Sequence, residues 1–193
     1  FADLNNDGLV DLFIAKGNVD EMEEGAIEDP NNLLLRQQDG SFQEVGLRAG
    51  GGNMDRSRGA ALVDLDLDGR LDIVVVNRRA NAEILHNQSD ESGHWLQVAL
   101  RQGGGNVNAI GAWIEVRAED EIWRQEVVIG GGHASGQSGW HHFGLGGEDD
   151  AEIRVQWPDG MWSAWQPAGS DRFITLTRDG YTVSATFGPG GAS

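Results

Sequence analysis

The sequence predicts an all-β protein in two parts. The first part holds two repeated units, each the size of a β-propeller blade, and the second is a compact antiparallel β-sandwich or barrel. Three observations predict this. A tight acidic motif, D-x-[DN]-x-D-G-x-x-D, occurs at Asp3 and again at Asp64, and each copy is followed by a short apolar run. From about residue 89 the repeat stops, and strand-length runs with partial alternation are separated by Gly, Asn and Asp turns. No helical period competes anywhere, and 29 glycines supply the turns that many short strands need.

Taking the chain in order, the first acidic loop leads into Leu12-Phe13-Ile14-Ala15, a short apolar strand. An acidic insert from Asp20 to Asp29 ends at Pro30 and reads as an exposed loop. Asn31 to Arg36 and Ser41 to Val45 flank Asp39-Gly40, which reads as a hairpin turn. Gly50-Gly51-Gly52 breaks the chain. Arg58 to Val63 then leads as a strand into the second loop. Ile73-Val74-Val75-Val76 follows it, and Ile84 to Asn87 closes the unit. About four strands and one loop in roughly 60 residues suit one propeller blade. Residues 1–88 are therefore expected to hold two repeat units, 89–178 a separate β-domain and 179–193 a C-terminal tail.

The loops carry the chemistry. Calcium is a hard cation that takes six to eight oxygen ligands. In a tight loop alternate residues point inward. The second loop then offers the carboxylates of Asp64, Asp66 and Asp68, the Arg70 carbonyl, and the closing carboxylate of Asp72. The first offers Asp3, Asn5, Asp7, the Leu9 carbonyl and Asp11. Gly8 and Gly69 permit the sharp turn. Carboxylates this close repel one another unless a cation lies between them. An EF-hand is excluded, because its twelfth position is a bidentate Glu; here it is Ile14 or Val75. Two Ca2+ sites are expected, the first weaker because Asn5 removes one charge. A metal-free acidic turn between strands is the competing reading.

These two units resemble the FG-GAP or VCBS repeats of integrin α-chain propellers and of many secreted proteins. The resemblance covers the loops, the strands after them and the Asn-x-Leu…Asp-Gly-x-Phe segment. It implies that each loop joins two strands of a blade and holds calcium. A closed propeller needs about four to eight blades, and two cannot close. The chain also opens on Phe1-Ala2, directly before a loop. It is therefore expected to be a C-terminal piece of something longer, with open blade edges that could pair with a second copy.

Beyond residue 89, Asn108-Ala109-Ile110-Gly111-Ala112, His142-Phe143-Gly144-Leu145-Gly146 and Val155-Gln156-Trp157-Pro158-Asp159-Gly160 are similar to the ASPIC/UnbV domain. The resemblance covers about residues 94–165. It implies no defined catalytic reaction. The residues agree: neither serine near His133 (Ser135 or Ser138) lies in a G-x-S-x-G elbow. His141 and His142 are adjacent, so on a strand they point to opposite faces. No third ligand completes a zinc site with His133 and His141. Gly103-Gly104-Gly105 and Gly130-Gly131-Gly132 lack the Lys of a phosphate loop. Trp157, Trp162 and Trp165 leave a sugar-stacking platform open as an alternative.

Composition bounds the function. A formal net charge of -17 excludes a nucleic-acid footprint, and two calcium ions would still leave about -13. There is no cysteine, hence no disulfide framework and no thiolate chemistry. No apolar run is long enough to insert into a membrane as a helix. The expected function is a calcium-binding, non-catalytic interaction or adhesion protein with a protein or glycan ligand. Its expected place is extracellular, periplasmic or at the cell surface. The alternative is a carbohydrate-binding accessory module or the hydrolase-associated domain of a secreted enzyme.

Overall fold

The computed structural model describes residues 1–17, 29–90, 92–130, 136, 138–180 and 182–188. The described residues form strands, turns and bends, with no helix. The acidic insert, apart from Asp29, lies outside them. The chain folds as two compact units. The first comprises Phe1–Leu4, Leu9–Asp90 and Gly130–Gln137; the second comprises Asn5–Gly8, Glu91–Ile129 and Ser138–Ser193.

The first unit contains two antiparallel sheets. One has the order β1 (Leu12–Ile14), β2 (Asn32–Arg36), β3 (Phe42–Glu44), with Ala2 bridging Asp11 ahead of β1. The other has the order β4 (Ser57–Val63), β5 (Asp72–Asn77), β6 (Glu83–Leu85). The two are copies in register as well as in sequence. The Ala2–Asp11 bridge is repeated as Val63–Asp72, and Leu12–Leu34 as Ile73–Leu85. The expected hairpin turn lies between β2 and β3, where Gly40 has a φ of 83° that a side chain would resist. Among the described residues the sheet of the second repeat has three strands and lacks the expected fourth.

Alternation builds this unit's core. Ile73 and Val75 of β5 are buried while Val76 is exposed, as period two requires. They pack with Leu4, Phe13, Leu62 and Leu71. Each such side chain contributes about 1.5–3 kcal/mol on burial. The two loops swap their anchors: Leu4 is buried where its counterpart Leu65 is exposed, and Leu71 is buried where Val10 is exposed.

The second unit is a sandwich of two four-stranded sheets. One has the order β10 (His141–Gly146), β7 (His94–Gln102), β13 (Arg172–Asp179), β14 (Thr182–Phe187). The other is β12 (Gln166–Pro167), β11 (Glu152–Gln156), β8 (Trp113–Ala118), β9 (Glu121–Glu126). Leu96, Val98 and Leu100 of β7 and Ile174 and Leu176 of β13 share one core with Ile114 and Val116 of β8 and Ile153 and Val155 of β11. All pairs are antiparallel except β7–β13, which is parallel. Both of these strands are central, and five and four consecutive residues of them are buried, as a parallel pair with covered faces demands.

The tail expected at 179–193 is corrected by β14. Thr182 to Phe187 pairs with β13 through a tight turn at Gly180, whose φ is 59°. Its inward residues, Val183 and Ala185, are small and only partly buried against the core. That weak alternation is why its sequence reads as a tail rather than a strand.

Candidate metal centre

Both acidic loops take one backbone path. Position four has a left-handed conformation, with φ of 58° at Asn6 and 63° at Leu67. Position six repeats it at Gly8 (85°) and Gly69 (88°). Asn tolerates this region and Gly is free in it, whereas Leu67 pays for it. The closing aspartates are buried and are held the same way. Asp11 accepts the Leu4 N–H at 2.9 Å and the Arg36 N–H at 2.8 Å, one on each carboxylate oxygen. Asp72 accepts the Leu65 N–H at 3.2 Å and the Asn87 N–H at 2.8 Å. Each therefore ties its loop to a later segment, Asp11 to the end of β2 and Asp72 to the residue two past β6, and this duty exists with or without an ion.

The structure brings Asp64, Asp66 and Asp68 together, with one carboxylate oxygen from each within 4.8 Å of the others. Asp64 is buried and accepts the N–H groups of Asp68 (3.1 Å) and Gly69 (2.9 Å). Burial pushes its carboxyl above the usual range and outweighs the two N–H donors, and the neighbouring Asp68 charge pushes the same way. A cation at this point would relieve both strains. Asp72 groups instead with Asp66 and His86. Arg70 does something the sequence reading did not foresee. Its guanidinium pairs with Asp68 and bonds the Asn87 carbonyl at 3.0 Å, so the loop carries its own counter-charge.

In the first loop Asp3 and Asp11 are buried, while Asp7 and Leu9 are half-buried. The side-chain amide of Asn5 donates to Asp7 at 2.9 Å. Its carbonyl oxygen, the atom expected to face the ion, is buried without a hydrogen-bond partner. A buried carbonyl normally finds a donor. This orphaned oxygen, beside the Asp7 carboxylate, fits a hard cation.

Three contributors escaped the sequence reading. Asn87 donates from its side chain to the Leu4 carbonyl (2.7 Å) and the Leu71 carbonyl (3.2 Å), clasping both loops. Its only sequence signal was its place at the end of the second repeat. His86 lies with its Nδ1 3.0 Å from Asp72. The Arg36 N–H, a backbone donor, leaves no mark in sequence at all.

Other candidates are placed as follows. His141 and His142 lie on opposite faces of β10, as the alternation requires. His142 is buried, and burial lowers its pKa to about 3. Its Nε2 lies 2.7 Å from the side-chain oxygen of Asn6, a residue of the same compact unit. His141 is also pushed down by burial. His133 and Ser135 lie outside the described residues. Trp157 is buried. The rings of Trp162 and Trp165 carry the Arg154 guanidinium at 4.3 and 4.5 Å, and Arg117 also stacks on Trp165 at 4.4 Å. The aromatic faces suggested for sugar stacking are thus occupied by arginine.

The FG-GAP-like repeat family matches residues 3–75, and these span both loops, β1 and the first four residues of β5. The ASPIC and UnbV family matches residues 102–182. This chain is thus similar to FG-GAP-like repeats in its first part and to the ASPIC and UnbV domain in its second. The FG-GAP-like match implies a β-propeller-like fold for the region that holds the two three-stranded sheets. The ASPIC and UnbV match extends past the expected limit of 165 and takes in all of β13. Among curated proteins, cartilage acidic protein 1 of Xenopus tropicalis is 30% identical over 109 residues, covering 54% of this chain and 17% of the relative. The same protein of Mus musculus is 28% identical over 109 residues, with the same coverage. That of Homo sapiens is 28% identical, covering 54% of this chain and 16% of the relative. The matched stretch is thus a small part of each relative.

Proposed function

We propose that the chain is a calcium-stabilised, non-catalytic interaction module that works outside the cytoplasm. Asp3, Asn5, Asp7, the Leu9 carbonyl and Asp11 would serve one ion, and Asp64, Asp66, Asp68, the Arg70 carbonyl and Asp72 the other. The observation that carries this reading is the buried, unpartnered oxygen of Asn5, at the position where the second loop places Asp66 among three clustered carboxylates. Calcium's role is structural. It would neutralise each loop, complete the shell around its oxygen donors, and fix the loops that precede β1 and β5. In the second loop it must displace the Arg70 guanidinium from Asp68, which lowers the affinity it would otherwise have. An extracytoplasmic setting follows from loops that need abundant calcium, and the likeness to cartilage acidic protein 1 supports it. The ligand of the module would be a protein or a glycan, met by an acidic surface.

Chelation tests the reading. An ion bound only by the folded state stabilises it by about 2.7 kcal/mol when its concentration is 100 times Kd, so two sites give roughly 5 kcal/mol. Melting in calcium and again in EGTA should differ by several degrees; coincident curves would rule calcium out as a structural ligand.

A further inference from the structure

The second loop presents two ligand sets that share Asp66. One is all oxygen: Asp64, Asp66 and Asp68. The other is mixed: Asp66, Asp72 and His86, again with one ligand atom from each within 4.8 Å of the rest. The mixed set has an ordered arrangement. The Asp72 carboxylate is almost wholly buried and already accepts the Asn87 N–H. The His86 Nδ1 approaches it at 3.0 Å, the geometry of the ring tautomer that donates from Nδ1 to a carboxylate. The Nε2 lone pair is then left on the far side of the ring, 3.9 Å from the nearer Asp66 oxygen. That is too long for a hydrogen bond and lies within the span of two ligands on one ion at about 2.0–2.2 Å each. A carboxylate that fixes one imidazole nitrogen while the other faces outward is how proteins orient histidine toward a metal. His86 and Asp66 are both half-exposed, so an ion has access.

The first loop provides an internal control. By strand register the counterpart of His86 is Leu35, and the counterpart of Asp66 is Asn5. Neither the imidazole nor the second charge is present there. Imidazole nitrogen suits borderline ions such as Zn2+, Co2+ and Ni2+, whereas Ca2+ prefers oxygen alone. We propose that the second loop, and not the first, also takes a borderline divalent transition ion. His86 Nε2 and Asp66 would ligate it, Asp72 would orient the ring, and water would fill the remaining positions. Because Asp66 serves both sets, this ion and Ca2+ exclude one another at that loop. The proposal rests on the second loop's being a cation site, as proposed above.

The test uses the untagged full chain, with Co2+ and Zn2+ as probes by titration calorimetry and by the visible absorption of bound Co2+. The variants are His86→Leu, which copies the first loop, and Asp68→Ala, which damages only the all-oxygen set. Wild type should bind about one Co2+ that millimolar Ca2+ displaces. His86→Leu should lose at least tenfold in Co2+ and Zn2+ affinity and keep its Ca2+ affinity within twofold. Asp68→Ala should lose Ca2+ at this loop and retain Co2+. His86 is exposed, and an unchanged circular dichroism spectrum confirms that His86→Leu folds. Equal Co2+ binding in wild type and His86→Leu would overturn the proposal. Loss of Ca2+ binding by every form, with Co2+ binding intact, would instead overturn the calcium reading.

Discussion

The two acidic loops share a backbone and differ in what that backbone carries. Both turn through left-handed residues at positions four and six, and both close on a buried aspartate that holds two backbone N–H groups. The first loop has an orphaned amide oxygen, and Leu35 stands at the register position that His86 holds for the second. The second has three clustered carboxylates, an arginine folded back on Asp68, and a histidine beside Asp72. The lesson is a division of labour. Position nine of the motif holds backbone N–H groups, while across positions one, three and five the two loops differ in the charge they present. A motif read as one ligand set contains two kinds of aspartate.

The largest expected effect separates the loops by pH. Asn6 of the first loop faces the buried imidazole of His142, and its counterpart Leu67 cannot do the same. His142 is neutral in the fold because its pKa has fallen from 6.5 to about 3. The unfolded chain takes up the proton first, so stability is intact above pH 6.5 and falls as the pH drops toward 3. The slope is about 1.4 kcal/mol per pH unit from this group. Urea melts from pH 7 to 4 in EGTA should show it, and His142→Gln should flatten it. An unchanged slope in that variant would remove His142 as the cause.

Next come the closing aspartates. Asp11→Ala and Asp72→Ala each strand two backbone donors at about 1–3 kcal/mol apiece. Each should cost roughly 3 kcal/mol in EGTA, where no ion contributes. A loss below about 1 kcal/mol would mean that position nine acts only through the metal. Smaller still is the exchange of position three. Asn5→Asp should tighten calcium at the first loop about tenfold, and Asp66→Asn should weaken the second by a similar factor, because ligand charge tunes affinity. Calorimetry that finds no change in either would break the equivalence of the loops. The smallest effect lies at position four. Leu67→Asn should stabilise by about 1 kcal/mol, since Asn relaxes in the left-handed region where Leu is strained. A thermal melt no higher than wild type would show that the strain is taken up elsewhere.

Much of the fold was legible because strand period and turn chemistry are local. Leu12–Ile14, Ser57–Val63 and Asp72–Asn77 fall where apolar runs flank the loops, and β10 falls on the quoted His142–Gly146 stretch. Elements defined by a partner were not legible. β12 has two residues and exists because β11 lies beside it, and β14 is legible only as the hairpin mate of β13. The parallel β7–β13 pair joins segments about 80 residues apart, which no local pattern records.

For the candidate site, sequence by itself determined which oxygen donors occur, at what spacing, and where glycine lets the chain turn back. These are properties of one short stretch of backbone. Only the tertiary structure decided that Asp11 answers to an N–H at the end of β2 and Asp72 to one just past β6. It also decided that Asn87 clasps both loops and that His86 stands over one of them. Each of those depends on strand register, which brings together residues distant in the chain and is fixed by the packing of the whole sheet.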